Sequence, residues 1–333
     1  MLRAFQAMAV GDAFGHPFEF NNPTTQTVRA ALQSGSPLGI TDDTQMALYG
    51  LVGLSNAARE GLSGNGVDYV CQKHILPQYL AWYETQAHLP LKSPNWLAEQ
   101  PLMQVVRAPG STCMNSLRAL HSPRFYGREK NDSKGNGAVM RSLPFVFAPQ
   151  ILGITEDEAT DLARKCGKLT HDHSESDQAV EAFMFLAFRL LERFVSPAEA
   201  VIRTREKFWP MIKTVREASV KSICEKENTF TAIPAFKAAL VAYAYAHYYT
   251  EKVGNDRAYK QMLVDCCANV GDSDTIGALA GALWGIAVGG PPTQLLERLL
   301  ERDILAEVVS RTPIQDGVDV RSTVPSTEKV QHQ

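Results

Sequence analysis

Two short acidic segments carry the residues that could do chemistry. Thr41–Thr44 reads TDDT and Gly271–Thr275 reads GDSDT, and each stands directly ahead of an apolar segment with helical periodicity. Thr and Asp at a helix start accept hydrogen bonds from unpaired backbone N–H groups, so either segment could be a plain helix cap. One residue suffices for a cap, whereas each segment offers two aspartates and a threonine. Taken alone, each segment is as consistent with capping or a solvated turn as with metal binding.

The two segments together would bring four carboxylates to one place. Such a cluster repels itself unless cations neutralise it, and two divalent ions would balance the four charges. Carboxylate and hydroxyl oxygens, with no His or Cys beside them in sequence, favour Mg²⁺ or Mn²⁺, leave Ca²⁺ as an alternative and disfavour Zn²⁺. Two such ions polarise a water molecule and hold a diol or a phosphate. The sequence therefore predicts a two-metal hydrolytic centre if the segments meet.

Amphipathic helices must position these segments. Apolar residues recur at three- and four-residue intervals, which is the spacing of one helix face, and alternating strand-like runs are missing. We therefore predict an all-α fold. The clearest predicted helices are Asp157–Cys166, Ser176–Phe194, Pro197–Phe208, Ala235–Tyr249 and Asp256–Val270.

The helix predicted after the second acidic segment has a glycine at every fourth position, namely Gly277, Gly281, Gly285 and Gly289. Each Gly inside a helix costs about 1 kcal/mol relative to Ala. Four of them on one face predict that another backbone packs very close to it. The role of this packing for function would be to hold the aspartates in place.

The helical pattern runs without a linker and predicts a single domain over residues 1–311. Segment 87–126 is the exception, because its prolines predict an irregular surface excursion of loops and short turns. Residues 312–333 lack apolar periodicity, and we expect a flexible tail there. The five prolines of segment 87–126 are Pro90, Pro94, Pro101, Pro109 and Pro123.

The composition argues against several classes of protein. Lys and Arg number 33 against 36 Asp and Glu, a net charge of −3, so no global field attracts nucleic acid or an anionic membrane. The N-terminus does not read as a signal peptide, and no apolar run reaches the roughly 20 residues of a membrane span. The six cysteines show neither a CxxC pair nor the spacing of a disulfide framework. We expect a cytoplasmic monomer with reduced, mostly buried thiols.

Five motifs, in chain order, resemble those of the ADP-ribosylglycohydrolase family, which includes the dinitrogenase-reductase-activating glycohydrolases and the animal ADP-ribosyl hydrolases. They extend from position 11 to about position 290, nearly the whole predicted domain. The matching segments are Gly11–Glu19 (GDAxGxxxE), Thr41–Met46 (TDDT), Gly135–Arg141 (GNGxxMR), Thr170–His173 (THxH) and Gly271–Thr275 with its glycine-rich helix (GDxDT).

The resemblance implies a compact orthogonal helical bundle with a binuclear Mg²⁺ or Mn²⁺ centre in a central cleft. It places Thr41, Asp42 and Asp43 on one ion, Asp272 and Thr275 on the other, and Asp274 between the two. Glu19 would stand above the ions as the carboxylate that assists cleavage. The implied catalytic residues are Glu19, Asp43 and Asp274, and the implied metal ligands are Thr41, Asp42, Asp43, Asp272, Asp274 and Thr275.

The remaining motifs imply a substrate-binding set. Glycines on both sides of Asn136 would let the backbone approach a diphosphate and present N–H groups to it, although a plain tight turn is the alternative. His171 would face phosphate or ribose, whereas His173 could be a helix cap or a surface residue. Many bacterial members have Pro where this chain has Ser174, so the path of that loop stays open. The implied substrate-binding residues are Gly135, Asn136, Gly137, Met140 and His171.

The predicted activity is metal-dependent hydrolysis of the glycosidic bond between ADP-ribose and an acceptor. An arginine side chain on an ADP-ribosylated protein is preferred, with serine, O-acetyl-ADP-ribose and a modified nucleic-acid base as alternatives. Two other functions stay open: a non-catalytic ADP-ribose-binding module and a two-metal phosphohydrolase. Aromatic residues near the cleft could stack on adenine or simply pack, and the candidates are Phe14, Phe18, Phe20 and Tyr126.

Overall fold

The computed structural model describes residues 1–61, 66–122, 131–208 and 219–315. Within these ranges the chain is helical and has no β-strand, only two isolated backbone bridges, which confirms the all-α prediction. The α-helices are α1 (Leu2–Gly15), α2 (Thr25–Gln33), α3 (Asp42–Glu60), α4 (Gly66–Tyr69), α5 (Leu76–Gln86), α6 (Ser111–His121), α7 (Ala148–Leu152), α8 (Glu156–Lys168), α9 (Ser174–Leu191), α10 (Pro197–Lys207), α11 (Val220–Lys226), α12 (Ala232–Val253), α13 (Asn255–Cys267), α14 (Ser273–Ala287), α15 (Thr293–Leu296) and α16 (Arg302–Ser310).

All five helices predicted from periodicity are present as α8, α9, α10, α12 and α13. Their starts follow from capping chemistry. Thr155 forms a reciprocal capping box with Glu158 at the start of α8, and Ser196 caps α10 one residue before Pro197. These local signals fix helix ends that the apolar pattern alone places only approximately.

Helices α1 and α14 pack antiparallel, backbone against backbone, through the glycines of both helices. A Cβ atom on Gly277 would lie 2.4 Å from the carbonyl oxygen of Gly11, and one on Gly281 would lie 2.2 Å from that of Ala7. At the other end, a Cβ on Gly15 would lie 2.3 Å from the carbonyl oxygen of Ser273. The close helix approach predicted from the glycine spacing is therefore confirmed for Gly277, Gly281 and Gly285, and it brings the end of α1 to the start of α14. The prediction is wrong for Gly289, which lies beyond the end of α14 and whose Cβ would meet only an Arg3 side-chain nitrogen, at 3.9 Å.

The segment predicted to be irregular contains a regular helix. Helix α6 occupies Ser111–His121, and a short 3₁₀ helix occupies Pro101–Gln104. Prolines 109 and 123 flank α6 but do not interrupt it, so the proline count overstated the disorder of this stretch. The final part of the segment, including Tyr126, lies outside the described residues.

The first residues of the predicted tail are packed against the domain. Thr312 is buried, its hydroxyl donates to the Val308 carbonyl and accepts from Ser55, and the Gln315 amide donates to the Gln150 carbonyl. The expected flexibility does not apply to residues 312–315, because these hydrogen bonds fix them. Residues 316–333 lie outside the described ranges.

All six cysteines are buried and free of disulfide bonds, as predicted. No helix among the described residues is long and apolar enough to span a lipid bilayer.

We expect Gly277→Ala to lower the free energy of unfolding by about 2 to 3 kcal/mol, because the added methyl group forces α1 and α14 apart. Gly290→Ala is the matched control, since its Cβ would meet nothing nearer than 3.8 Å. Chemical denaturation of both variants measures the difference. Equal stabilities would contradict the close packing described here.

Candidate active site

One cleft of about 390 Å³ collects most of the predicted site residues. It is lined by the end of α1, the starts of α3, α6 and α14, the GNG segment and His171. Thr41 and His173 of the predicted motifs lie outside this lining. The lining residues are Glu19, Phe20, Asp42, Asp43, Ala108–Cys113, Gly135–Gly137, Met140, His171, Phe230, Asp272, Asp274 and Thr275.

Thr41 anchors the start of α3 to α1. Its hydroxyl donates to Asp12 Oδ1 over 2.7 Å and accepts the amide of Asp43, so Thr41 is the helix cap. Asp12 also accepts the backbone amides of Thr41 and Thr44. Burial raises the pKa of Asp12 to about 6, against the lowering effect of these hydrogen bonds. Asp12 therefore joins α1 to the TDDT segment from behind the cleft.

Asp272 caps α14 and is held from the opposite side of the cleft. Its Oδ1 accepts the amide of Thr275, and its Oδ2 accepts the side-chain amide of Asn136 over 2.7 Å. Its own amide donates to the Thr229 hydroxyl. Asp274 lies in the first turn of α14, where its Oδ1 accepts the Thr275 amide over 2.9 Å.

The aspartates of the two segments are buried together, and capping accounts for only part of them. Burial is the largest cause that raises the pKa of Asp42, Asp43 and Asp274, and the neighbouring carboxylates raise it further. The pKa of Asp42 rises to about 8. Asp43 Oδ2 is buried without a hydrogen-bond partner. A hard divalent cation binds carboxylate oxygens and removes the repulsion between them. These buried carboxylates, one of whose oxygens has no hydrogen-bond partner, therefore fit the predicted metals.

Glu19 lines the cleft just beyond the end of α1, and His16 lies beside it. Glu19 follows the 3₁₀ turn His16–Phe18, and its Oε2 lies 3.8 Å from His16 Nδ1. The same nitrogen lies 3.9 Å from Asp274 Oδ2. The glycine contacts between α1 and α14 bring these three side chains together. Glu19 was predicted, whereas His16 stands inside the first motif and was missed.

The GNG segment is shaped around His171. A Cβ on Gly137 would lie 2.5 Å from the His171 ring, and one on Gly135 would lie 3.0 Å from it. The amide of Gly135 donates to Ser133 Oγ and that of Asn136 to the Phe230 carbonyl, so these two N–H groups are already used. The glycines thus leave room for the His171 ring, and the Asn136 side chain holds Asp272. The diphosphate-binding role of this segment stays a prediction.

His171 lines the cleft as a neutral imidazole. Burial lowers its pKa to about 3, and the buried Arg141 guanidinium lowers it further. Its Nδ1 lies 2.8 Å from the Thr170 hydroxyl, which also accepts from Arg141 over 2.6 Å. Arg141 additionally donates to the Gly137 carbonyl and so ties the GNG and THxH motifs together. His173, by contrast, accepts the Glu175 amide and caps α9.

The comparisons with known proteins agree with this arrangement. The family model described as ADP-ribosylglycohydrolase matches residues 2–321. The chain belongs to the ADP-ribosylglycohydrolase family. It is 27% identical over 323 residues to the ADP-ribosyl-[dinitrogen reductase] glycohydrolase of Rhodospirillum rubrum, an alignment that covers 92% of this chain and 93% of that protein. A solved ADP-ribosylglycohydrolase-related protein complex has the same fold, with a TM-score of 0.59 at 24% identity over 93% of this chain and 95% of that one.

The resemblance predicted from the five motifs is thereby confirmed, and the protein is an enzyme of the glycoside hydrolase type. In this ADP-ribosylglycohydrolase the motifs meet at one cleft, as the prediction required. The individual roles of the site residues remain proposals.

An ion pair between the partly buried Arg107 and the buried Glu301 was not anticipated. Arg107 Nη1 lies 2.7 Å from Glu301 Oε1, and Glu301 Oε2 accepts the Ile40 amide. Arg107 also donates to the Ile40 carbonyl. The next residue, Ala108, has φ +47°, and Gly110 donates its amide to Asp42 Oδ2 over 2.9 Å. The pair thus holds the TDDT segment and the loop that contacts Asp42 in one position.

We expect Glu301→Gln to destabilise the glycohydrolase by about 2 kcal/mol, because the partly buried Arg107 would lose its counter-charge. Asp303→Asn is the matched control, since the adjacent Arg302–Asp303 pair is exposed and should contribute little. Thermal or chemical unfolding measures both variants. A loss no larger than that of the control would show that the Arg107–Glu301 pair does not hold these segments.

We expect the metal-free glycohydrolase to lose stability as the pH rises from about 4 to about 8. The folded-state pKa of Asp42 lies above that of the unfolded chain, so its contribution is fully favourable below the unfolded value and is lost as the pH rises through the folded one. The slope should reach at most about 1.4 kcal/mol per pH unit for one group.

Unfolding measured in chelator across this pH range tests the expectation, with Asp42→Asn as the diagnostic variant. At pH 8 the metal-free variant should be more stable than the parent, because it lacks the buried charge, and it should gain less from added Mg²⁺ or Mn²⁺. A flat pH profile for the parent would contradict the predicted repulsion.

Proposed function

We propose that this enzyme hydrolyses the glycosidic bond between ADP-ribose and a protein side chain, with arginine as the preferred acceptor and Mg²⁺ or Mn²⁺ as the cofactor. The observation that carries the proposal is the meeting of both aspartate segments and Glu19 in one cleft of a family member. The relative from Rhodospirillum rubrum, by its name, acts on ADP-ribosyl-dinitrogen reductase, which is a protein conjugate. A protein conjugate is therefore our first choice, and the motif resemblance to the bacterial regulatory enzymes favours an arginine linkage.

The proposed metal-holding roles are those that the family resemblance implies, and the cleft is supportive because it brings the carboxylates to one place. Asp42 and Asp43 would hold one ion with Thr41, Asp272 and Thr275 the other, and Asp274 would bridge them. Thr41 is the weakest member of this set, because its hydroxyl is engaged with Asp12 and Asp43. When bound, the two ions would supply the Lewis acidity that polarises a water molecule and orients the ribose hydroxyls.

Glu19 is the proposed acid/base. Its side chain is 9% exposed, and its Oε2 has no hydrogen-bond partner. A carboxylate without a structural partner at the cleft wall is free to take a proton from the attacking water and to give one to the leaving group. The bond to the anomeric carbon would break through an oxocarbenium-like transition state.

The rest of the cleft would bind the ADP-ribose. His171, being neutral, can exchange a hydrogen bond with ribose or phosphate without adding charge. Met140 contributes apolar surface beside it, and the GNG segment forms the floor around them.

An aromatic pair at the cleft fits the adenine. Phe20 and Phe230 stack with ring centroids 5.8 Å apart and an interplanar angle of 8°. Phe20 is 77% exposed and Phe230 38%, so both offer ring surface to a ligand. The other candidates within the described residues, Phe14 and Phe18, are buried against each other and serve packing.

The decisive experiment measures free ADP-ribose released from arginine-linked, serine-linked and base-linked substrates, in Mg²⁺, in Mn²⁺ and in chelator. We expect metal-dependent release, fastest from the arginine linkage, and a loss of at least about 100-fold in Asp274→Ala and Glu19→Ala. Phe194→Ala, at an exposed position outside the cleft lining, is the control and should keep full activity.

Each alternative has its own signature in the same experiment. AMP or inorganic phosphate in place of ADP-ribose would identify a two-metal phosphohydrolase. Tight ADP-ribose binding without release from any substrate would identify a binding module.

A further inference from the structure

The backbone of His16 lies at the close contact between the end of α1 and the start of α14. It follows Gly15 directly, and a Cβ on Gly15 would lie 2.6 Å from Asp274 Cα. The backbone at the end of α1 therefore lies against the first turn of α14. The backbone of His16 is thereby placed beside Asp274.

Two buried polar atoms face the same space beside Asp274. His16 Nδ1 and Glu19 Oε2 are both buried and have no hydrogen-bond partner. They are 3.8 Å apart, and Nδ1 is 3.9 Å from Asp274 Oδ2, distances too long for hydrogen bonds. Within the part of the chain that the structure describes, these three residues are the group of His, Cys, Asp and Glu whose ligand atoms lie close enough to share one ion.

The spacing suits a shared cation. Metal–ligand bonds of about 2.1 to 2.5 Å place two ligands of one ion up to about 5 Å apart. The three atoms all lie within 4.8 Å of one another. The His16 side chain is 34% exposed, so its Nε2 can keep the proton on the solvent side while the Nδ1 lone pair points inward.

We propose that His16 Nδ1 is a nitrogen ligand of the metal centre, at a position shared with Asp274 and facing Glu19, which keeps its acid/base role. This inference rests on the proposed function, because it adds a ligand to the same centre. An imidazole nitrogen favours first-row transition ions over Mg²⁺, so the site with His16 selects Mn²⁺ over Mg²⁺. The oxygen-only ligand set expected from the two acidic segments is thereby extended.

Pulsed electron paramagnetic resonance of the full chain loaded with Mn²⁺ tests the assignment directly, because a coordinated imidazole gives a ¹⁴N coupling. The parent should show the coupling, and both His16→Ala and His16→Gln should lose it. His171→Ala and His247→Ala should retain it, which excludes the histidine of the cleft lining and a histidine far from it in sequence.

Calorimetric titration of the same proteins gives an independent readout. We expect the Mn²⁺ affinity to fall at least about 10-fold in both His16 variants, while the Mg²⁺ affinity changes less than about 2-fold. Thermal unfolding of the metal-free variants verifies that they fold.

Three results would overturn the assignment: no ¹⁴N coupling in the parent, a coupling that persists in the His16 variants, or an equal loss of Mn²⁺ and Mg²⁺ affinity. If ADP-ribose release in Mg²⁺ survives in those cases, the proposed hydrolysis stands and only the role of His16 fails. If the parent releases no ADP-ribose yet shows the coupling, the hydrolase proposal fails and the nitrogen ligand remains.

Discussion

The site depends on one backbone-to-backbone contact, the approach of α1 to α14. Gly11 meets Gly277, and Gly15 meets the first turn of α14, with no side chain between the two helices at these points. Because the helices run antiparallel, the end of one lies beside the start of the other. Glu19 and His16 come from the first end, and Asp272 and Asp274 come from the second. A wider helix spacing would separate the carboxylates that have to act together.

The second constraint is the repulsion between the buried carboxylates, which opposes the close packing that brings them together. Packing brings several buried aspartates together, and burial disfavours their ionised forms. The surrounding protein compensates with donors aimed at individual oxygens, such as the Asn136 side chain on Asp272 and the Gly110 amide on Asp42. Asp43 retains an acceptor with no donor. The fold therefore orients the cluster, and the cations proposed above would neutralise it.

Sequence patterns predicted the features with a local signal. Helical periodicity, the acidic segments ahead of helices and the four-residue glycine spacing could each be read from neighbouring positions. The motif resemblance then supplied Glu19 and His171, which no local pattern distinguishes from surface or core residues.

The missed features all depend on distant partners. Glu301 pairs with Arg107, and both side chains hydrogen-bond to the backbone of Ile40. These residues are far apart in the sequence, so no periodic pattern indicates that they meet. The role of His16 can be inferred only from its position beside Asp274, and that of Phe230 only from its stacking on Phe20. Asp12 could have been found, because a carboxylate in the middle of an apolar helix needs a buried partner. Helix α6 was missed for another reason: prolines were counted across a segment although none falls inside Ser111–His121.

The α1 to α14 contact also bears on the order in which the molecule can assemble. Almost the whole described chain separates the two helices, so during synthesis α1 emerges long before the surface against which its glycines pack. Until then the glycine face of α1 has no final partner, although Asp12 can already bond to Thr41 and Thr44 of the TDDT segment. A contact of such high sequence separation also forms late in folding, since the intervening chain must first be ordered. The cleft would accordingly be completed late in the folding of a newly made chain. A fragment that lacks α14 would lack Asp274 and could not form the cleft.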